Sequence, residues 1–223
     1  MPKNEPVRLR AFVELAKLFD KHGFHAYLVG GSVRDFLIEK ELFDMDVATD
    51  ATPSEMKEFL LEADYTYEKY GSIKVRFFQI GFDVTTFRKE EGYSDHRHPC
   101  RVEFTRNIKE DVKRRDFTIN ALYLDKSLTL LDYVGGEKDI KNKLIRMVGN
   151  PSQRLKEDPL RIVRAIRFAS DLDFEIEKSL AKAIEENAYL LKELNIEKIK
   201  EEVRKCHKKE KLLDFLKKVG IVW

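Results

Sequence analysis

The residues best suited to chemistry are two aspartates, Asp44 and Asp46, flanking Met45 and lying shortly after the doublet Gly30-Gly31. The stretch Ala26-Tyr-Leu-Val-Gly-Gly-Ser-Val-Arg-Asp35 reads as a short apolar strand, then a glycine turn, then a helix opening near Ser32. A second strand is expected over 45–48. Side chains two apart on a strand share a face, with Cα atoms about 7 Å apart. Two carboxylates so spaced can converge on divalent cations. The glycine turn leaves backbone N–H groups at a helix N-terminus, where phosphate binds well. Metal-binding carboxylates beside a phosphate cradle point to nucleotide chemistry. Neither Gly-x-x-x-x-Gly-Lys-Ser/Thr nor Gly-x-Gly-x-x-Gly occurs, so a P-loop or dinucleotide-binding turn has no support.

Further candidates follow along the chain. Asp83, in the alternating triplet Phe82-Asp83-Val84, offers a third strand carboxylate. Arg34 falls one turn inside the helix after the glycines, within reach of the same anion. Arg114-Arg115-Asp116 is expected on a helix spanning 108–122, with Phe117, Ile119 and Leu122 on its apolar side. Asp158, Arg161, Arg164 and Arg167 recur every three residues and predict a drifting stripe on one helix face, which a plain salt-bridged surface would also produce. His96 and His98 form a His-x-His without further ligands, which reads as solvent-exposed rather than as a metal site.

Six ordered segments carry a resemblance across nearly the whole chain. They are the Gly30-to-Asp46 region, Asp83-Val-Thr-Thr-Phe-Arg88, Tyr93-Ser-Asp-His-Arg-His-Pro99, Arg114-Arg-Asp-Phe-Thr-Ile-Asn-Ala121, Asp132-Tyr-Val-Gly-Gly136 and Glu157-Asp-Pro-Leu-Arg-Ile-Val-Arg-Ala-Ile-Arg-Phe168. Together they resemble the class II tRNA nucleotidyltransferases (CCA-adding enzymes) and bacterial poly(A) polymerases of the polymerase-β nucleotidyltransferase superfamily. The resemblance implies an α+β fold: a small mixed-sheet head over 1–150, then an all-helical neck over 151–223. It implies template-independent addition of CMP and AMP, from CTP and ATP, to the 3′ end of RNA, with tRNA as the expected acceptor. Poly(A) or A-only addition, or a nucleotide- and RNA-binding module without turnover, are the alternatives. Asp44 and Asp46 would bind two Mg²⁺ ions, with Asp83 as a third catalytic carboxylate. Gly30, Gly31, Ser32 and Arg34 would hold the nucleotide phosphates. Arg115 would bind nucleotide, with Asp116 and Asn120 supporting the sugar or local structure. Asp158 and Arg161 would read the incoming base, since a carboxylate only accepts hydrogen bonds and a guanidinium only donates them. Arg164 and Arg167 would support that template or reach the triphosphate. Asp95 and Arg97 would belong to the flexible loop that helps relatives switch from C to A addition. Resembling chains usually continue into further helical domains, so Trp223 leaves open a minimal form or one piece of a longer enzyme.

The elements that must position these residues are legible from period. Apolar positions at helical spacing run over 7–22 and stop at Gly23. Strands are expected at 26–29, 45–48, 73–80, 82–87 and 128–133, with a helix from Pro53 to Ala63 and a hairpin turn at Gly81. Residues 88–106 are polar, punctuated by Gly92 and Pro99, and read as a mobile loop. After Asn150-Pro151 only helical period remains.

The 223 residues suffice for a substantial core. A net charge of +2 does not announce nucleic acid, but 199–211 holds six Lys/Arg against three Glu and suits a phosphate-lined groove. Cys100 and Cys206 are the only cysteines, which suits a reduced, cytoplasmic protein without a disulfide framework. No apolar run approaches membrane-spanning length, and no signal peptide is visible. With 37% charged residues and two Gln, the composition leans towards a thermophilic source.

Overall fold

The computed structural model describes residues 5–93 and 99–222. Its contacts divide the chain into two units. One comprises Met1–Glu90, Val102–Arg115 and Ile119–Gly136; the other comprises Glu91–Arg101, Asp116–Thr118 and Glu137–Trp223.

The first unit is built on a mixed sheet. Its strands are β1 (Ala26–Val29), β2 (Asp46–Thr49), β3 (Ser72–Phe77), β4 (Ile80–Thr86), β7 (Leu122–Leu124) and β8 (Leu130–Asp132), in the order β3-β4-β2-β1-β7-β8. β2 and β4 run parallel, and the other neighbours are antiparallel. Alternation decides the faces. Leu28, Val47, Val84, Ile73, Val75 and Phe82 are buried on one of them. Helix α1 (Glu5–Lys21) packs against β1 and buries Phe12, Leu15, Ala16 and Phe19 at helical spacing. The opposite face carries Asp46, Asp83, Lys74 and Arg76. Helix α2 (Gly31–Leu37) follows the glycine turn.

Several expected elements come out differently. The helix expected from Pro53 to Ala63 is only α3 (Pro53–Met56), opened by a reciprocal Thr52–Glu55 capping box. Beyond it, irregular turns carry the chain to Asp64, which exchanges backbone hydrogen bonds with Lys74 on the flank of β3. The β3–β4 turn falls at Phe78-Gln79, with φ of +47° and +65°, while Gly81 lies inside β4 opposite Arg76. A type I′ two-residue hairpin turn needs positive φ at both positions, and here two non-glycine residues supply it. The stretch expected as a mobile loop over 88–106 contains a two-stranded ribbon, β5 (Arg88–Tyr93) with β6 (Pro99–Phe104). Strand β5 is polar throughout most of its length, and the only alternation is the short Cys100-Arg101-Val102-Glu103-Phe104 run of β6. Asp95, Arg97 and the two loop histidines lie outside the described residues. The helix expected over 108–122 ends early, as α4 (Ile108–Arg114). Arg115 is already extended (φ −67°, ψ 158°), a single 3-10 turn spans Thr118–Asn120, and β7 follows. Strand pairing with β1 and β8 overrides the helical period there.

In the second unit the helices are α5 (Gly136–Lys141), α6 (Pro151–Glu157), α7 (Leu160–Leu172), α8 (Lys178–Asn187), α9 (Ile196–Lys205) and α10 (Lys209–Lys218). Asn150 and Asn195 cap α6 and α9 through the N–H groups of Gln153 and Glu197. A short parallel pairing joins β9 (Leu144–Ile145) to β10 (Glu175–Ile176). Helix α7 packs against α6, α9 and α10, burying Ile162, Val163 and Ala165. The helical stripe from Asp158 is broken: Pro159 forces the residue before it out of helical geometry, and Asp158 sits at φ −146°, ψ 95°. Among the described residues, no helix is long and apolar enough to cross a membrane.

One glycine of the first unit is fixed by sterics as well as by dihedral. Gly71 has φ +77°, and a Cβ placed on it would lie 2.6 Å from the Phe104 ring. Gly23 has φ +82° but open space around it. Gly71→Ala should therefore lower the unfolding free energy by about 2 kcal/mol or more, against about 1 kcal/mol for Gly23→Ala. Urea denaturation of the two variants measures the difference, and equal costs would contradict the packing argument.

Candidate functional site

In the first unit the register does the assembly. Asp46 of β2 stands directly beside Asp83 of β4, and Asp83 stands opposite Lys74 of β3. Asp83 is half exposed, Asp46 is partly buried, and Lys74 Nζ lies 3.5 Å from Asp83 Oδ1. Asp44 is exposed and precedes β2 rather than lying in it, because the strand begins only at Asp46. The strand expected to carry both aspartates thus carries one.

What holds Asp44 and Asp46 in place is Ser32. Its hydroxyl donates to the Asp44 carbonyl (2.6 Å) and accepts from the Asp46 N–H (3.2 Å), which ties the carboxylate segment to the glycine turn. On the other side, Arg8 of α1 donates to the Phe43 carbonyl at 3.0 Å. Gly30 is required by two constraints at once: φ is +71°, and a Cβ there would come within 3.3 Å of Asp46 Oδ2. Arg34 is buried beneath the turn, bonded through Nε to Asp35 (2.9 Å) and through Nη1 to Asn120 Oδ1 (2.8 Å). Turn, carboxylates, Arg34 and Asn120 therefore form one continuous assembly.

The donor chemistry of this row fits a hard divalent cation, since every candidate atom is a carboxylate oxygen. Among the described residues, no group of three or more His, Cys, Asp or Glu side chains is close enough to hold a metal by itself. A cation here would draw further oxygens from phosphate and water, as Mg²⁺ commonly does.

Arg115 is held by partners that the sequence reading passed over. Its Nε donates to the Tyr123 hydroxyl (2.7 Å) and its Nη2 to Asp111 Oδ2 (2.8 Å), while the guanidinium lies 4.9 Å from the Tyr123 ring centroid. Asp111 is fully buried and also accepts from Arg114 Nε (2.6 Å) and the Tyr123 hydroxyl (2.7 Å). Burial raises the Asp111 pKa, but Arg114 and Arg115 outweigh it and hold the carboxyl far below its usual range. Burial pushes the Tyr123 phenol up; burial opposes the charge on Arg115, but Asp111 and Tyr123 outweigh it and raise the Arg115 pKa. The three- and four-residue spacing from Asp111 to Arg114 and Arg115 was the available signal.

The second unit holds the other candidates. Arg164 of α7 donates through Nε (2.9 Å) and Nη2 to Asp116 Oδ2, and Asp116 raises its pKa. Asp116 Oδ1 accepts from the Phe117 N–H at 2.6 Å. Arg167 Nε lies 3.0 Å from Glu202 Oε2, and its guanidinium stacks 4.2 Å from the Phe168 ring centroid. Glu202 of α9 is almost fully buried and also pairs with Lys205 at 2.9 Å and Arg164 at 3.9 Å. Burial opposes its charge, yet Arg164, Lys205 and Arg167 together outweigh this and lower its pKa. Only the three-residue spacing from Glu202 to Lys205 marks it locally, because its arginine partners lie on another helix. Arg161, only 6% exposed, donates from Nη1 to the Arg154 carbonyl (2.7 Å) and Glu157 (3.3 Å). Asp158 accepts from the Leu160 N–H at 3.1 Å. Cys206 is buried beside Asp171; burial, then Asp171, push its thiol up to about 11.

The mixed sheet with its row of carboxylates, followed by a helical segment, is a polymerase-β-like nucleotidyltransferase fold. Residues 26–146 match the family model described as the poly A polymerase head domain, and the chain belongs to that family. The CCA-adding enzyme of Lactobacillus helveticus (strain DPC 4571) is 44% identical over 196 residues, which are 88% of this chain and 49% of that enzyme. Among solved structures, the Bacillus stearothermophilus CCA-adding enzyme in complex with CTP superposes with a TM-score of 0.86 at 33% identity. The match covers 96% of this chain and 53% of that one. A tRNA nucleotidyltransferase complexed with a primer tRNA and an incoming ATP analog superposes with a TM-score of 0.75 at 30% identity, over 94% and 60% of the two chains. The chain spans about half the length of the curated relatives it matches.

The Asp111 cluster yields a pH dependence with a definite sign. Its folded pKa lies below the ordinary value of 3.8, so its stabilising contribution is present above that value and fades as pH falls through the folded pKa. Asp111→Asn strands two arginines and should cost about 3–5 kcal/mol near neutral pH. It should also flatten the acid limb of the stability profile. Denaturant unfolding at about pH 7 and about pH 3 tests both statements.

Proposed function

We propose that this chain is the catalytic head and adjoining helical segment of an enzyme that adds CMP and AMP, from CTP and ATP, to an RNA 3′ end in the cytoplasm. The acceptor in this reading is tRNA. The observation that carries it is the registered pair Asp46 and Asp83 beside the Gly30-Gly31 turn, with Asp44 tied to the same turn through Ser32. Asp44 and Asp46 would hold two Mg²⁺ ions, and Asp83 would complete the acidic row. Such ions, when bound, activate a hydroxyl nucleophile and stabilise the departing pyrophosphate.

The chain's own residues supply position and charge. Ser32 keeps the Asp44–Asp46 main chain against the turn, so the carboxylates need no rearrangement on substrate arrival. Gly30 and Gly31 present a main chain without side chains to the triphosphate, and Arg34 places positive charge beneath it. Arg115 binds nucleotide from a guanidinium fixed by Asp111 and Tyr123, while Asn120 orients Arg34. In the helical unit Asp158 accepts and Arg161 donates along the pairing edge of the base. Arg161 is preorganised for this by the Arg154 carbonyl. Arg164, fixed by Asp116, and Arg167, fixed by Glu202, support that template. The curated relatives reported above are CCA-adding enzymes, and the solved neighbours include one in complex with CTP and one complexed with a primer tRNA and an incoming ATP analog.

Asp46→Asn should leave the far-UV circular dichroism unchanged and reduce nucleotide incorporation by about 10³-fold or more, given loss of a metal-holding carboxylate. Near-normal incorporation by this variant would remove the metal assignment. Asp158→Ala should instead reduce the discrimination between CTP and ATP, read in a competition assay on tRNA lacking its terminal CCA; unaltered selectivity would exclude the base-reading role. In the same assay, product length separates CCA addition from A-only addition and from a poly(A) ladder.

A further inference from the structure

Lys74 stands in the same row as the carboxylates, and no function described above uses it. Across three adjacent strands the row reads Lys74, Asp83, Asp46, each directly beside the next. The Lys74 N–H and C=O are both exchanged with Asp64 on the outer flank of β3, at 3.0 and 2.8 Å. Lys74 and Asp83 are therefore a non-hydrogen-bonded antiparallel pair, the kind in which Cα atoms approach most closely, at about 4.5 Å. The Asp83 N–H is in turn bonded to the Met45 carbonyl at 3.0 Å. Both side chains thus spring from main chain fixed on two sides, with Nζ 3.5 Å from Oδ1.

The neighbours narrow the choice of partner. The Asp64 carboxylate is taken by the Thr66 N–H (2.9 Å) and hydroxyl (2.6 Å). Arg76, the next cation on that face, stands opposite Gly81, which has no side chain to offer. Among the described residues of β3, Lys74 is the one whose ammonium is set directly against the acidic row.

We infer that Lys74 is the resident counter-ion of this row: it pairs with Asp83 in the metal-free protein, and a divalent cation must displace it to engage that carboxylate. This rests on the metal-binding reading of Asp44, Asp46 and Asp83. An ammonium in this position offsets the repulsion between neighbouring carboxylates in the absence of metal. It also competes with metal for the same oxygen, so it sets the cation concentration at which the row fills. A salt bridge serving only to hold the hairpin would alter stability and leave metal affinity untouched.

The test is Mn²⁺ binding to the full chain without nucleotide, followed by electron paramagnetic resonance and calorimetry. It compares wild type, Lys74→Met, Asp83→Asn, the double variant and Asp46→Asn. Lys74→Met should tighten Mn²⁺ binding by about twofold to fivefold, the fold-change equivalent of an exposed ion pair. In the Asp83→Asn background the same substitution should change affinity by much less. Unchanged or weaker binding by Lys74→Met overturns the proposal, as does an equal gain in both backgrounds, which would reveal only a diffuse charge effect. If Asp46→Asn binds Mn²⁺ as wild type does, the metal-binding reading itself fails, whatever Lys74 does.

Discussion

Parallel pairing of β2 with β4 in a single register is the constraint from which the acidic row follows. Val47 faces Val84 in the core, and this obliges Asp46 and Asp83 to emerge together on the other face. A slip of one residue would turn valines to water and carboxylates into the core, so burial of the apolar partners enforces the acidic juxtaposition. Two carboxylates side by side repel one another, and local propensity has no reason to bring them together. Hydrophobic burial on one face outweighs that repulsion on the other. The glycine turn is then drawn in by Ser32, whose short hydroxyl reaches two main-chain groups of the acidic segment at once.

Both units solve the problem of holding a charged side chain still in the same manner. In the first, a fully buried Asp111 gathers Arg114, Arg115 and the Tyr123 hydroxyl; in the second, a nearly buried Glu202 gathers Arg167, Arg164 and Lys205. Burying a carboxylate is costly, and only several cationic or hydroxyl partners together offset it. An arginine held this way loses little freedom when an anion arrives. Tyr123 adds a ring face to Arg115 as Phe168 does to Arg167, combining stacking with ion pairing.

Much of this was legible in the sequence because it depends on local period and on residue type. Helix α1, strands β1 and β4 and the glycine turn lie close to where apolar spacing puts them. The failures share a cause: long-range pairing overruled local pattern. Arg115 leaves the helix because the chain beyond it must enter β7 between β1 and β8. Asp158 leaves its helix because the next residue is a proline, whose constraint on the preceding backbone overrides the three-residue spacing. The β3–β4 turn avoids its nearby glycine because register with β4 places Gly81 opposite Arg76. Side-chain partners were the least legible layer. Asp111 is spaced three and four residues from its two arginines, whereas Glu202 shows only Lys205 locally and draws its arginines from α7.

The bridge between Asp64 and Lys74 has a further consequence, for how the molecule meets copies of itself. A bare strand at the margin of a sheet offers free amide and carbonyl groups on which another chain can template its own extension. At the middle of β3 that margin is sealed by Asp64, and the solvent side of the strand presents Lys74 and Arg76. At the far margin β8 is only three residues long, too short to template much. Both margins of the sheet are thereby shielded against β-type self-association, and part of that shielding comes from the same lysine that faces the acidic row.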